Sequence, residues 1–359
     1  MSLKNGEQML LYIHIPYCDS KCHYCSFNSY VDKFDTRKNY MLALLEQLKF
    51  ELEKFQVKAH EIESVFIGGG TPSTINPSLF QPIFELLYPL IKKDAEITTE
   101  ANPNSATPLW LEGMHSLGVN RVSFGVQSFN QEKLKGLNRH HSPKDAINAI
   151  TNAHKIGFNN ISLDIIYNYQ GDTKELLEKD IDQAFELPIN HISAYELTIE
   201  SQTKFYETPE VKQEDDTLAF FVKEKIEEKG FPQYEISNYG TYQSFHNKGY
   251  WELKDYIGVG AGAVGFKKDI RYYPHTDIDL YINNPYDIKK EILSQEDILT
   301  EKILLGLRSN IGIKERILNE KIKKSADFLV EHQKLNKISS TYYNPNFFLS
   351  DEIALYLIK

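Results

Sequence analysis

The sequence has few cysteines, and their positions exclude a disulfide framework. The 359 residues include only three, Cys18, Cys22 and Cys25, and all lie within one short segment. An odd number of cysteines at such close spacing cannot form the paired bridges of a small secreted domain. Clustered cysteines in a reducing compartment are instead typical of metal-binding or catalytic sites.

The chain also lacks long apolar runs and an excess of positive charge. No stretch approaches the run of roughly 20 apolar residues that a membrane-spanning helix needs. The first residues do not show the basic and apolar pattern of a secretion signal. The net charge of −10 argues against broad nucleic-acid binding, which needs a basic surface. We therefore expect a cytoplasmic protein with no transmembrane segment and no nucleic-acid partner.

Short β-rich runs alternate with longer helical patterns along the first 280 residues. The β-rich runs start near residues 10, 64, 96, 119, 160 and 191, and a segment with helical periodicity follows each of them. This alternation predicts βαβ units and a parallel sheet. Strand starts about 30 residues apart are typical of a (β/α) barrel. The sequence therefore predicts an α/β fold, a partial (β/α)6 TIM-like barrel, with an open Rossmann-like sheet as the alternative.

The pattern changes after the last β-rich run. Residues 277–290 are polar and loop-like, and the segments beyond them read as helices followed by short β-rich runs and a final helix. We therefore predict two domains. The barrel would cover residues 1–280, and a small C-terminal helical domain of winged-helix-like type would cover residues 281–359.

Polar residues occur at or near the carboxyl ends of the predicted strands. They are Gly68, Glu100, Gln127, Asp164 and Glu196. Each alone can cap the helix that follows. In β/α barrels, however, this end of the sheet carries the active site. Five such residues on one rim therefore predict a functional site there.

The cysteines follow the spacing Cys-x3-Cys-x2-Cys in a loop after the first predicted strand. A [4Fe–4S] cluster bound by cysteine normally takes four thiolates, and this chain can supply only three. One iron would then stay open to a small molecule, much as catalytic zinc keeps an open position. Two alternatives remain: structural zinc with His14 or His23 as the fourth ligand, and buried free thiols.

A glycine run, GGGTP at residues 68–72, follows directly on the second predicted strand. Glycines permit positive φ angles and close approach of a ligand, and N–H groups at a strand end can bind a charged small molecule. No Gly-Lys-Ser/Thr sequence follows, so the run is not a P-loop. Its position predicts that it lies beside the cysteine loop.

Together these motifs resemble radical S-adenosylmethionine (SAM) proteins, and among them the oxygen-independent coproporphyrinogen III oxidase family. The cysteine motif has the family's aromatic residue, Tyr24, before its last cysteine, and GGGTP resembles the family's segment for the methionine part of SAM. Further matches follow in order: EANP at residues 100–103, GVQSF at 125–129 and NRH at 138–140. The resemblance extends over residues 11–312.

The resemblance implies a [4Fe–4S] cluster on Cys18, Cys22 and Cys25, with SAM bound beside it. The residues implied for SAM contact are Tyr12, Tyr24, Gly69, Gly70, Thr71, Glu100, Gln127, Arg139 and Asp164. Carboxylates suit an ammonium group or ribose hydroxyls, and a guanidinium suits a carboxylate. One segment departs from the family, which usually reads DLIYGLPGQ where this chain reads DIIYNYQG from residue 164.

The family contains true oxidases and haem chaperones (HemW-like proteins). True oxidases carry a further cysteine two residues after the third, where this chain has Phe27. YEISNY at residues 234–239, HNKGYW at 246–251 and EDILTEKILLG at 296–306 resemble the chaperone branch. The resemblance therefore implies this branch, with His246, Tyr250 and Trp251 as candidates for haem contact, since His and Tyr are axial ligands of haem iron.

Three hypotheses for function follow. The first is a haem chaperone that binds haem, delivers it to an acceptor protein and retains a SAM-binding cluster. The second is a coproporphyrinogen III oxidase, in which electrons from a donor and cleavage of SAM lead to radical oxidative decarboxylation to protoporphyrinogen IX. Here the cofactor carries the hard chemistry and the protein positions the substrate. The third is a structural zinc protein that binds no SAM.

Overall fold

The computed structural model describes residues 8–359. Residues 1–7 lie outside the described residues. They include the start of the predicted barrel domain and of the segment that does not resemble a secretion signal. Six parallel strands form the centre of the fold: β1 Met9–Ile15, β2 Ile62–Gly69, β3 Ile91–Ala101, β4 Arg121–Gln127, β5 Asn160–Tyr167 and β6 His191–Glu196. They are neighbours in chain order. This order confirms the partial (β/α)6 barrel, because a Rossmann-like sheet reverses its strand order.

Helices connect these strands and cover the sheet. They are α1 Arg37–Lys54, α2 Gln81–Leu87, α3 Pro108–Ser116, α4 Gln131–Gly136, α5 Pro143–Ile156, α6 Lys174–Phe185 and α7 Asp216–Glu228. Local sequence sets their ends. Ser142 and Asp145 form a capping box at the start of α5, and Gly157 ends that helix with a φ of 119°. Buried apolar side chains of the helices and strands form one continuous core.

The sheet extends beyond the six strands on both sides. Next to β6 lies an antiparallel hairpin, β7 Gln233–Glu235 and β8 Asn238–Gly240. Next to β1 lies β9 Tyr256–Val259, which is parallel to it, followed by the antiparallel strands β10 Gly265–Lys267, β11 Ile270–Pro274 and β12 Ile288–Ile292. The helices α8 Phe245–Trp251 and α9 Ile278–Asn283 lie between these strands along the chain.

The prediction of a loop over residues 277–290 is therefore wrong, because the segment contains α9 and the start of β12. The residues of β12 are mostly exposed. A short strand with little buried surface shows no clear alternation of apolar and polar residues, so its pattern resembles a loop.

The C-terminal part has a core of its own. Three helices, α10 Gln295–Leu307, α11 Glu320–Glu331 and α12 Ser350–Ile358, pack with a three-stranded antiparallel sheet of β13 Ile313–Lys314, β14 Asn336–Ile338 and β15 Thr341–Tyr343. Because β12 belongs to the large sheet, the predicted boundary at residue 280 falls before the last strand of that sheet. The two-domain division and the winged-helix comparison stay predictions. Across residues 8–359, no helix has the length and apolar content to cross a membrane.

A buried carboxylate on β3 holds α8 against the amino-terminal halves of the barrel strands. The Glu96 side chain accepts hydrogen bonds at 2.7–3.3 Å from two hydroxyls and two backbone N–H groups, those of Tyr242, Ser244, Phe245 and His246. Burial disfavours the charge of Glu96, but Arg121 and these donors outweigh burial and lower its pKa. The carboxylate is also favoured by its position at the start of a helix.

Replacing Glu96 with alanine removes the shared acceptor of four donors. We expect the free energy of unfolding to fall by about 3 kcal/mol, as when one partner of a buried charged network is lost. Urea denaturation followed by circular dichroism measures this. The difference in unfolding free energy between the wild type and this variant shrinks as the pH falls through the lowered pKa of Glu96, because the carboxylate then takes up a proton.

The matched control is Glu132→Ala. Glu132 is exposed and pairs only with a surface lysine, Lys135, so we expect a change of no more than about 1 kcal/mol. Equal stability of the Glu96 variant and the wild type would contradict the role assigned to this carboxylate.

Candidate functional site

The three cysteines lie on the loop between β1 and α1, at the carboxyl ends of the barrel strands. Together with residues from β2 to β6 they line one cavity of about 440 Å³. This cavity includes eight of the nine residues expected to contact SAM: Tyr24, Gly69, Gly70, Thr71, Glu100, Gln127, Arg139 and Asp164. The structure thus brings together residues that are far apart in the sequence.

The end of β2 is built from glycines because its neighbours leave no room for a Cβ atom. Gly69 has a φ of 110°, and a Cβ there would lie 2.4 Å from the ring of His14. A Cβ on Gly70 would lie 2.8 Å from the carbonyl oxygen of Tyr17, which directly precedes Cys18. The glycines therefore let the end of β2 lie against the cysteine loop, as the sequence predicted.

Two of the sulfur atoms accept hydrogen bonds from the cavity wall. The Thr71 hydroxyl lies 3.4 Å from Cys18 Sγ, and Arg139 Nη1 lies 3.2 Å from Cys22 Sγ. Asn102 holds both donors, since its Oδ1 accepts from Arg139 Nη2 at 2.7 Å and its Nδ2 donates to Thr71 Oγ1 at 3.1 Å. One amide thereby fixes the two side chains that contact the sulfurs.

Sequence reasoning missed several residues of the cavity wall, among them Asn102, Ser123 and Tyr195. Asn102 follows Glu100 by two residues in the EANP segment. This position within a motif was the only sequence feature that could have indicated that Asn102 belongs to the site. Ser123 lies within a strand, and Tyr195 lies near the end of one. Only the pairing of neighbouring strands shows that their side chains face the cavity.

The zinc alternative does not match the donors around the cysteines. The His14 ring nitrogens lie 2.9 Å from the Tyr12 hydroxyl and from the Asn28 carbonyl oxygen, and His23 Nδ1 lies 3.2 Å from the Gly136 carbonyl oxygen. Across residues 8–359, no three histidine, cysteine or acidic side chains are grouped to hold a single metal ion. The thiolates of a four-iron cluster bind different iron atoms and need not meet at one point. The donor set therefore fits a cluster better than zinc.

Four predicted site residues lie elsewhere. Tyr12 is not part of the cavity lining, and its hydroxyl contacts a histidine instead. His246, Tyr250 and Trp251 lie on α8, below the cavity. His246 is fully buried, its Nδ1 lies 2.7 Å from Ser64 Oγ, and its Nε2 has no hydrogen-bond partner. The roles of Tyr12 in SAM binding and of the α8 residues in haem binding stay predictions.

The loop that departs from the family pattern keeps Asp164 in the cavity wall. Asn168 adopts a φ of 63°, which an asparagine tolerates better than most residues and which a glycine adopts freely. Four residues later, Asp172 forms a buried ion pair with Lys133 of α4 at 2.8 Å. A polar anchor thus holds the loop that lacks Gly-Leu-Pro.

Two buried carboxylates give the cavity its electrostatic character. Glu100 accepts a hydrogen bond from the Gly69 backbone N–H at 3.0 Å. Burial and the nearby charge of Asp164 raise the pKa of Glu100 to about 7, and burial raises the pKa of Asp164 to about 6. Near neutral pH, therefore, the pair is not fully ionised. A ligand that brings positive charge or hydrogen-bond donors would favour the ionised forms.

Burial also raises the pKa of the Cys18 and Cys25 thiols. Without a counter-charge the two groups favour the protonated form. Metal ligation requires thiolates and releases their protons. Iron would therefore supply the positive charge that this buried sulfur site needs.

The sequence matches the Radical SAM superfamily over residues 12–184. It is 34% identical over 337 residues to the haem chaperone HemW of Bacillus subtilis (strain 168), covering 89% of this chain and 88% of the relative. It is 40% identical over 264 residues to HemW of Escherichia coli (strain K12), covering 71% and 69%. The chain belongs to the HemW family of radical SAM proteins.

The fold of this HemW-family chain is that of a solved radical SAM enzyme, the E. coli coproporphyrinogen III oxidase HemN. The TM-score is 0.81 over 98% of this chain and 91% of that chain, and the identity of 18% limits the comparison to the fold. A mitochondrial radical SAM domain-containing protein 1 of Danio rerio is 33% identical, covering 84% of this chain and 73% of the relative. Membership in the radical SAM superfamily implies, in general, a [4Fe–4S] cluster and SAM.

If Glu100 contacts SAM as the sequence predicts, its raised pKa should make SAM affinity depend on pH. The ionised carboxylate attracts a cation and is a stronger acceptor for ribose hydroxyls than the neutral acid, so affinity should rise up to about tenfold between about pH 6 and about pH 8. Calorimetric titration of the wild type and of Glu100→Gln measures this, and the variant should bind weakly with a flatter profile. Glu200→Gln, at the exposed rim of the same cavity, is the control and should retain the wild-type profile.

Proposed function

We propose that the chain is a haem chaperone that carries a SAM-binding [4Fe–4S] cluster, binds haem and passes it to an acceptor protein. The relatives that match most of its length are named haem chaperones. The observation that carries the proposal concerns Phe27, which lines the cysteine cavity. The true oxidases of the coproporphyrinogen III oxidase family have a further cysteine at this position. The chain thus keeps a three-thiol site and lacks the additional thiol of the oxidases.

The cysteine cavity supports the cofactor part of the proposal. Cys18, Cys22 and Cys25 would hold the cluster, and the iron without a cysteine would be open to SAM. When both are bound, the cluster and SAM together supply one-electron chemistry at the sulfonium group of SAM. This chain's own residues position the ligand: Glu100 and Asp164 suit its hydroxyls or its ammonium group, as their burial and raised pKa values favour a ligand that stabilises their charge.

The proposal includes the partners that the chemistry requires. An electron donor is needed if SAM is cleaved, and an acceptor protein is needed if haem is delivered. It also includes a cytoplasmic location. Support for this location comes from the cysteines, which are all free thiols, because a compartment that keeps thiols reduced suits an iron–sulfur site.

Loss of one cysteine should abolish stable iron binding. After anaerobic reconstitution the wild type should be brown and hold about four irons per chain, whereas Cys22→Ala should lose most of the iron and the absorbance, because a cluster held by two thiolates is easily lost. Ser20→Ala changes a neighbouring polar residue of the same cavity and should reconstitute normally. A wild type that stays colourless would exclude the cluster.

An anaerobic assay with coproporphyrinogen III, SAM and a reductant separates chaperone from oxidase. We expect no protoporphyrinogen above background from the reconstituted protein, and we expect the same sample to bind hemin in a spectrophotometric titration, since haem is the cargo. Robust turnover would contradict the chaperone proposal and favour the oxidase.

The hemin titration is repeated with His246→Ala, and an unchanged hemin affinity would remove His246 as a haem ligand.

A further inference from the structure

The main chain of Asn102, directly after the end of β3, is held on both sides. Its N–H donates to Ser73 Oγ at 3.1 Å, and its carbonyl oxygen accepts from the backbone N–H groups of Ser105 and Ala106 at 3.1 and 3.0 Å. Ser73 Oγ and Ser105 Oγ lie 2.6 Å apart. These contacts fix the point from which the Asn102 side chain reaches the cysteine cavity.

The two partners of the Asn102 side-chain amide determine its orientation. Arg139 has only N–H donors, so the atom that lies 2.7 Å from its Nη2 must be the amide oxygen. The amide nitrogen then lies 3.1 Å from Thr71 Oγ1 and donates to it. A reversed amide would place its NH2 group against the guanidinium and leave donors facing each other. The orientation described here therefore satisfies both partners.

This orientation directs the single hydroxyl proton of Thr71. A threonine hydroxyl donates one hydrogen bond and accepts through its lone pairs. Because Thr71 Oγ1 accepts from Asn102, its proton is left for Cys18 Sγ, which lies 3.4 Å away. On the other side of the amide, Arg139 Nη1 donates to Cys22 Sγ at 3.2 Å. One amide therefore directs a neutral donor and a charged donor to two different sulfurs.

We propose that Asn102 is a positioning residue that adjusts the reduction potential of the cluster through Thr71 and Arg139. Reduction adds one electron, and hydrogen bonds to the more negative cluster are stronger. Hydrogen bonds to the sulfurs are among the features that set cluster potentials. Donors to Cys18 and Cys22 therefore raise the potential and make the cluster easier to reduce. The inference rests on the cluster of the proposed function and names the residues that adjust it.

A redox titration of the reconstituted chain with dithionite, followed by electron paramagnetic resonance and made without SAM, tests the inference. Thr71→Val removes the hydroxyl at nearly constant volume, and Asn102→Ala removes the amide that directs both donors. In each variant the ratio of reduced to oxidised cluster at a fixed potential should fall about tenfold, which corresponds to about 59 mV for one electron. Thr71→Ser keeps a hydroxyl and should keep the wild-type potential.

The matched control is Asn104→Ala, which changes an exposed asparagine two residues further along the same segment. Asn104 Nδ2 donates to Asp19 Oδ2 at 3.2 Å, so it contacts the cysteine loop through a residue that is not a cysteine. This variant should keep the wild-type potential. Iron content is measured in every sample to show that the cluster is present.

Asn102→Asp provides an independent test. A carboxylate still accepts from Arg139, but it also accepts the Thr71 proton and turns it away from Cys18. The added negative charge lowers the potential as well. In the Thr71→Val background only this effect of charge remains, so the shifts caused by the two substitutions should not be additive.

Three results would contradict the proposal, and a fourth would concern the cluster itself. Additive shifts, or wild-type potentials in Thr71→Val and Asn102→Ala at full iron content, would overturn the inference. Loss of iron from the Asn102 variants, with iron retained in Asn104→Ala, would also overturn it, because Asn102 would then hold the site together rather than adjust its potential. A wild type that binds no iron would instead overturn the cluster of the proposed function.

Discussion

The close contact between the end of β2 and the cysteine loop determines where the site forms. Gly70 leaves no space for a Cβ between β2 and the Tyr17 backbone, and Gly69 lies against the His14 ring. A larger residue at position 70 would push the loop away from the sheet, and one at position 69 would displace the His14 ring of β1. The three sulfur atoms would then no longer share a cavity with the strand ends. The thiols, the carboxylates and Arg139 form one site because this contact is so short.

One strand shows how burial gives two carboxylates different roles. Glu96 and Glu100 both lie on β3, four residues apart and both buried. Four donors and Arg121 stabilise the charge of Glu96, and its pKa is lowered. Glu100 has one backbone donor and a second carboxylate nearby, and its pKa is raised. The first is a satisfied structural group, whereas the second lacks partners that a bound ligand can supply.

The two ends of the barrel therefore differ in what they can bind. The end packed by α8 is filled with aromatic rings and hydrogen-bonded side chains. The other end is a cavity with free thiols, incompletely ionised carboxylates and exposed aromatic residues at its mouth. The cluster and the SAM that the family relationship implies would thus share one opening. Phe27 forms part of its rim and follows the third cysteine by two residues.

The sequence by itself determined the features that depend on local spacing. Six strands, most of their helices, the three-cysteine loop and the glycine run could be predicted, because apolar periodicity and motif spacing are properties of short, continuous stretches of the chain. Only the tertiary structure showed that β9 lies beside β1, that Asn102 holds the donors to two sulfurs, and that His246 is buried. These facts depend on contacts between residues far apart in the chain. No local pattern encodes them, since burial and partners arise only when distant segments pack together.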